Sequence, residues 1–110
     1  MEAKSSIFVE TFGEVPMIKV LDFFMIFDNF DYSKSQVSEE TGVSRITLDK
    51  IWGELIAKKI IVKTRDIGRA EMYKLNKKNP MVKVLLELSF KMASAFAEEE
   101  IVKIRKKIEA

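Results

Sequence analysis

The chain has 110 residues, of which 47% are hydrophobic and 33% charged, with 19 basic and 17 acidic side chains and neither histidine nor cysteine. That length supports one domain with a single modest core, and the hydrophobic share is too high for a disordered tail. Disulfides, zinc sites built on thiolate or imidazole, and catalysis by a thiol or an imidazole are excluded.

Residues Met1 to Ser6 lack the apolar core of a signal peptide, and no apolar run reaches the roughly 18–20 residues of a membrane span. The expectation is a cytoplasmic protein with no membrane partner. Ile7 to Phe12 is apolar with threonine and reads as an extended arm or edge strand ended by Gly13. Pro16 suits a first helical turn, and Met17, Val20, Leu21, Phe24 and Phe27 recur at helical spacing, so a helix is predicted over 16–28. Ser33 with Gln36 forms a capping-box pattern that starts a second helix at Lys34, and Gly42 stops it at Thr41. Ser44 is a good N-cap for a third helix running to about Lys58. The period then changes. Residues 60–65 are β-branched and read as a strand, Ile67-Gly68-Arg69 as a turn, and Ala70 to Leu75 as the returning strand. After a polar connector, Pro80 opens a last helix that can run close to the end of the sequence.

This order predicts a mainly α fold with a small β-hairpin: a winged helix-turn-helix followed by a long C-terminal dimerisation helix. Residues 1–79 would form a DNA-binding domain with an N-terminal arm, and 80–110 the dimerisation helix, within one compact unit.

The stretch from Lys34 to Glu54 carries the helix-turn-helix pattern. Val37 should point inward, Ser38 should be small where the helices cross, and Gly42 should accept a left-handed turn. Val43, Leu48 and Ile51 should plug the angle between the helices. At about 100° per residue, Leu48, Ile51 and Leu55 share the core face of the third helix, with Trp52 beside them. Ile46, Lys50 and Gly53 lie opposite, flanked by Asp49 and Thr47. Arg45 sits in the first turn, where a long side chain can swing past the helix end. With Ser44, these residues suit a recognition helix in the major groove of double-stranded DNA. Arg45 can reach guanine edges or phosphate, and Ile46 a thymine methyl. Thr47 can touch phosphate. Asp49 can accept from a cytosine amino group or orient Arg45 or Lys50.

Charge is unevenly spread. Residues 1–32 carry two basic and six acidic groups, whereas residues 58–78 carry eight basic and two acidic ones. Such a local basic patch fits a polyanion. Within it Lys63, Arg65 and Arg69 are the candidate wing contacts, with Arg69 at the tip.

In the last helix, Met81, Leu85, Leu88, Met92 and Phe96 form a stripe suited to packing on the core. A second stripe, from Val82 through Leu86, Phe90, Ala93, Ala97, Ile101, Ile104 and Ile108, lies about 120–140° away and continues after the first has stopped. From Leu86 its spacing is close to a coiled-coil seam and predicts a homodimer. No glycine-rich phosphate loop, catalytic carboxylate pair or nucleophile motif is present, so no enzyme is expected. No cofactor is expected, and the sequence identifies no small-molecule effector. The rival reading is a winged helix that docks on proteins of the transcription or replication machinery.

Phe12-Gly13 with Pro16, Val20-Leu21-Asp22-Phe23, Asp31-Tyr32-Ser33, Gly42-Val43-Ser44-Arg45, and above all Gly68-Arg69-Ala70, Tyr73-Lys74-Leu75-Asn76 and Asn79-Pro80 closely resemble archaeal winged helix-turn-helix transcriptional regulators, relatives of the ArsR and MarR groups. The resemblance spans roughly residues 7–90 and implies a DNA-binding transcription factor, usually dimeric. It matches Arg45 to the motif's helix-three arginine and Arg69 to its wing arginine. Two positions depart from the pattern: Val15, where a capping residue is commoner, and Asp49, an acid beside the reading face. The metal-sensing branch uses cysteine or histidine ligands, which this chain lacks.

Overall fold

The structure is a computed structural model that describes residues 6–109; the outermost residues of the two expected segments, 1–5 and 110, lie outside it. Its elements are α1 (Ile7–Phe12), α2 (Pro16–Ile26), β1 (Tyr32–Ser33), α3 (Lys34–Thr41), α4 (Arg45–Ala57), β2 (Ile61–Ile67), β3 (Ala70–Leu75) and α5 (Pro80–Glu109). The mainly α winged-helix architecture with a long last helix is the one the sequence predicts.

The first element differs from expectation. Residues 7–12 form a helix, not a strand, because helical winding puts Phe8, Val9 and Phe12 on one side, with Phe8 and Val9 buried. The Ser6 hydroxyl accepts from the Val9 amide at 3.1 Å and so caps the helix. The same hydroxyl donates to Asp22 Oδ1 at 2.7 Å, tying α1 to the buried face of α2. Burial raises the Asp22 carboxyl above its ordinary value, against the Ser6 hydrogen bond that lowers it.

α2 begins at Pro16 after Val15, which supplies no side-chain cap. Its residues from Val20 to Met25 are all buried, so tertiary packing stabilises a helix with a poor start. The helix-turn-helix follows the expected chemistry. Ser33 and Gln36 close the capping box reciprocally at 3.2 and 2.8 Å. Gly42 has φ +74, a left-handed conformation that a side chain would strain. The Ser38 hydroxyl donates to the Val43 carbonyl at 2.6 Å, which requires a small residue there.

The hairpin is part of a three-stranded antiparallel sheet in the order β1-β3-β2. β1 pairs Tyr32 with Tyr73 and Ser33 with Met72. Gly68, at φ +60, leads the two-residue turn between Ile67 and Ala70. A bulge between Lys63 and Arg65 leaves Thr64 out of the β3 pairing register, its hydroxyl 3.3 Å from the Met72 carbonyl.

The core joins all layers: Phe8 from α1, Phe24 from α2, Val37 from α3, Leu48, Trp52 and Leu55 from α4, Ile61, Tyr73 and Leu75 from the sheet, and Val82 from α5. On α4 the buried line is Leu48, Trp52 and Leu55, while Ile51 is only half-buried. The core face is thus rotated towards Trp52, whose ring meets Tyr73 edge-on at 5.3 Å and packs on Phe24 at 5.9 Å.

α4 ends in an unusual joint. Lys59 has φ +57, a left-handed backbone that costs a non-glycine residue about 1–2 kcal/mol. Asn76 and Asn79 hold it there, each side-chain amide donating to the Lys59 carbonyl at 3.0 Å. Asn79 also donates to the Lys58 carbonyl at 3.1 Å and accepts from the Met81 amide at 2.9 Å, so one side chain closes α4 and opens α5.

α5 is a single uninterrupted helix of 30 residues, about 45 Å long. Its buried line is neither of the expected stripes but runs between them. Val82 is fully buried, and Leu85, Leu86 and Met92 are half-buried against the core, with Ser89 on the same line. Met81, Leu88 and Phe96, expected inside, are exposed. Leu86, expected at a dimer seam, packs on its own domain. Each expected stripe therefore lends two or more residues to the true buried face, which lies about midway between them on the wheel.

Candidate nucleic-acid interface

α4 presents its expected face to solvent. Arg45, Ile46, Asp49 and Lys50 are exposed, and Ile46 is 74% accessible, high for an isoleucine. Nothing lies within 4 Å of a Cβ built on Gly53, so the middle of that face is open to close approach. Ser44 and Thr47 do local work. The Ser44 hydroxyl accepts from the Thr47 amide at 3.2 Å and donates to Thr47 Oγ1 at 3.0 Å, which fixes the helix start. Asp49 pairs with Lys34 at 2.9 Å, not with Arg45 or Lys50. Lys34 also lies 5.7 Å from the Trp52 ring centroid, a cation–π contact.

Arg45 donates through Nη1 to the Ser35 hydroxyl on the first turn of α3. Arg45 lines a cleft of about 340 Å³ whose walls also include Lys34, Ser35, Trp52, Arg69, Tyr73 and one carboxylate, Glu71, which accepts from the Tyr73 hydroxyl at 2.9 Å. Three cations from α3, α4 and the wing thus line one opening, Lys34 of them already paired with Asp49. The positions of Lys34 and Ser35 were not singled out from sequence. Their signal is geometric: the first turn of the helix preceding the recognition helix exposes free amides and a positive dipole end beside Arg45.

The wing is less cationic than its composition. Arg65 makes a bidentate pair with Asp31, Nε to Oδ2 at 2.9 Å and Nη2 to Oδ1 at 3.1 Å, reaching across β3. Thr64, displaced by the bulge, donates to the same carboxylate. These bonds, the Arg65 pair first and Thr64 second, hold Asp31 down at about 2. Lys63 is occupied by Asp66 at 2.9 Å, with Glu71 at 3.9 Å. Lys77 is held by Asp28 and Asn29 at the end of α2. Arg69 and Lys50 form no ion pair among the described residues. Of the wing cations named from sequence, only Arg69 keeps its charge uncommitted.

The Asp31–Arg65 pair has a measurable signature. A carboxyl held below its unfolded value of about 3.9 contributes stability that is present above that value and is lost as pH falls through about 2. The Asp31 carboxyl carbon should titrate near pH 2 in the native chain and move up towards the ordinary carboxylate range in Arg65→Gln. An unchanged midpoint in the variant would show that the pair does not form in solution.

On α5, Phe90, Ala93, Ala97, Ile101, Ile104 and Ile108 are exposed and stand on one line. Phe90 is 73%, Ile101 53%, Ile104 55% and Ile108 76% accessible. No helix of the described residues is long and apolar enough to cross a membrane. Among them, no group of three or more Asp and Glu residues is placed to hold a metal ion.

No protein-family model and no curated protein matches this chain. Solved structures do. A mutant of ZitR from Lactococcus lactis in apo form superposes with a TM-score of 0.61 at 19% identity, over 92% of this chain and 84% of that one. Wild-type ZitR in complex with DNA gives 0.53 at 13% identity, over 82% and 68%. The adhesin competence repressor AdcR of Streptococcus pyogenes gives 0.53 at 11% identity, over 82% and 63%. ZitR is described as a zinc-responsive MarR family member. At these identities the likeness establishes the fold alone, a winged helix like those of ZitR and AdcR.

Proposed function

We propose that the chain is a sequence-specific, double-stranded-DNA-binding transcriptional regulator, acting as a homodimeric repressor, with α4 in the major groove and the β2–β3 wing on phosphate or in the minor groove. The observation that carries this reading is the convergence of Lys34, Arg45 and Arg69 on one cleft beside the exposed face of α4. A phosphate seated at the first turn of α3 would meet Arg45 and Arg69, and Lys34 once it exchanges Asp49 for the phosphate, and would leave Ile46 and Lys50 facing base edges. The DNA complex of a protein with the same fold supports it.

Selection of bound duplexes from a random pool, followed by footprinting, tests the proposal directly. Recovery of an inverted repeat with half-sites about one helical turn apart is expected. Salt-independent or undetectable binding to every duplex would instead favour a protein-docking winged helix. Arg45→Ala should weaken operator binding by about 1–3 kcal/mol and relax preference at one position, if its contact is to a base. Affinity for the operator as tight as wild type in Arg45→Ala combined with Lys50→Ala would exclude α4 as the reading helix.

Arg69→Gln should weaken binding to all duplexes alike and reduce the salt slope by about one. Arg65→Gln should change that slope less, because Asp31 already neutralises Arg65. Equal slopes in both variants would show that DNA pulls Arg65 off its partner.

A further inference from the structure

We infer that the groove between the end of α2 and the outer face of α3 is a binding site for a small organic cation with an apolar body and a quaternary or alkylated ammonium group. Three elements build it. Phe23 and Phe27 stand one turn apart on α2, Tyr32 comes from β1, and Gln36, Glu39 and Glu40 share one face of α3. They bound a space of about 380 Å³, within the range of small-molecule pockets.

The walls select for charge. Phe23, Phe27 and Tyr32 pack on one another, with ring centroids 5.1 Å, 4.9 Å and 6.3 Å apart. Aromatic faces attract a cation within about 6 Å of the centroid; Phe27 and the half-buried Tyr32 offer such faces, while the buried Phe23 backs them. Phe27 remains 44% accessible, so an apolar ligand would cover a ring that the chain itself leaves wet. Glu39 and Glu40 are exposed and form no ion pair among the described residues. No lysine or arginine lines the groove. An anion would be repelled there, and a neutral hydrocarbon would gain nothing from the two carboxylates. The groove is the chemical opposite of the cationic cleft beside Arg45. Its volume, about 380 Å³, suits one small body better than a peptide segment. Gln36, one of its walls, also closes the capping box of α3, so a ligand would touch the helical turn that carries Ser35.

The test uses the full chain without DNA, and its result stands whether or not the chain binds DNA. Benzyltrimethylammonium is titrated into isotope-labelled protein and followed by NMR, alongside neopentylbenzene, its neutral isostere, and benzenesulfonate. Saturable shifts are expected at Phe23, Phe27, Tyr32, Glu39 and Glu40. The cation should bind at least about tenfold more tightly than the isostere, and the sulfonate should not saturate. Glu39→Gln with Glu40→Gln should weaken the cation about tenfold without lowering the melting temperature, since both side chains lie on the surface. Equal affinity for cation and isostere, an unaffected double variant, or shifts centred on Trp52 would each overturn the assignment. Saturation by a lysine-rich peptide but not by the free cation would also overturn it, in favour of a protein-docking face.

Discussion

A chain carrying Ile101→Glu and Ile104→Glu is expected to sediment as a monomer and to lose operator affinity by about a hundredfold or more. Both side chains are more than half exposed, so the substitutions should leave the fold and its melting temperature nearly unchanged. In the proposed two-fold dimer they would sit in the seam made by Phe90, Ala97, Ile101, Ile104 and Ile108, where each buried isoleucine contributes about 1.5–3 kcal/mol. Four carboxylates would replace four such side chains across one interface, each desolvated without a partner. The DNA loss follows from bivalency: the second half-site is bound intramolecularly, and that advantage is commonly about 10²–10⁴. Sedimentation of the native chain as a monomer, at concentrations where it binds its operator, would remove α5 from the interface.

Leu48→Ala should destabilise the fold by about 2–5 kcal/mol. Leu48 is fully buried under the recognition helix, and the cavity would open where α2, α3 and α4 meet. A native stability of about 5–15 kcal/mol would lose a large fraction, visible as a lower urea midpoint at unchanged slope. Ile51→Leu, at a half-buried site, should cost less than about 1.5 kcal/mol. A loss below about 1 kcal/mol at Leu48 would mean that α4 is not seated on this core.

The helix-turn-helix was legible because its constraints are local. A capping box at Ser33 and Gln36, a left-handed glycine at Gly42 and an N-cap at Ser44 each act within a few residues, and each appears where its chemistry requires. Residues 7–12 misled because β-branched composition and a short span mimic a strand. What decides that segment is the burial of Phe8 and Val9 and a hydrogen bond to Asp22, sixteen positions away from Ser6. β1, two residues long, is too short to leave a period. The wing's electrostatics failed to follow its composition for the same reason: Arg65 and Lys77 are matched to acids 34 and 49 positions earlier in the chain, Asp31 and Asp28. On α5 the core stripe was drawn to one side of the true buried face, because a wheel gives only relative angles. The direction of the core came from the packing of Val82, Leu85 and Leu86.

The joint at Asn79 bears on how the protein would measure distance along DNA. Its amide nitrogen holds the carbonyls at the end of α4, and its oxygen caps α5. The helix that would read bases and the helix that would join two copies therefore share one side chain. A dimer built this way is a caliper with fixed jaws. One base pair added between half-sites turns the second one by about 34° around the DNA axis, and neither jaw has a hinge with which to follow it.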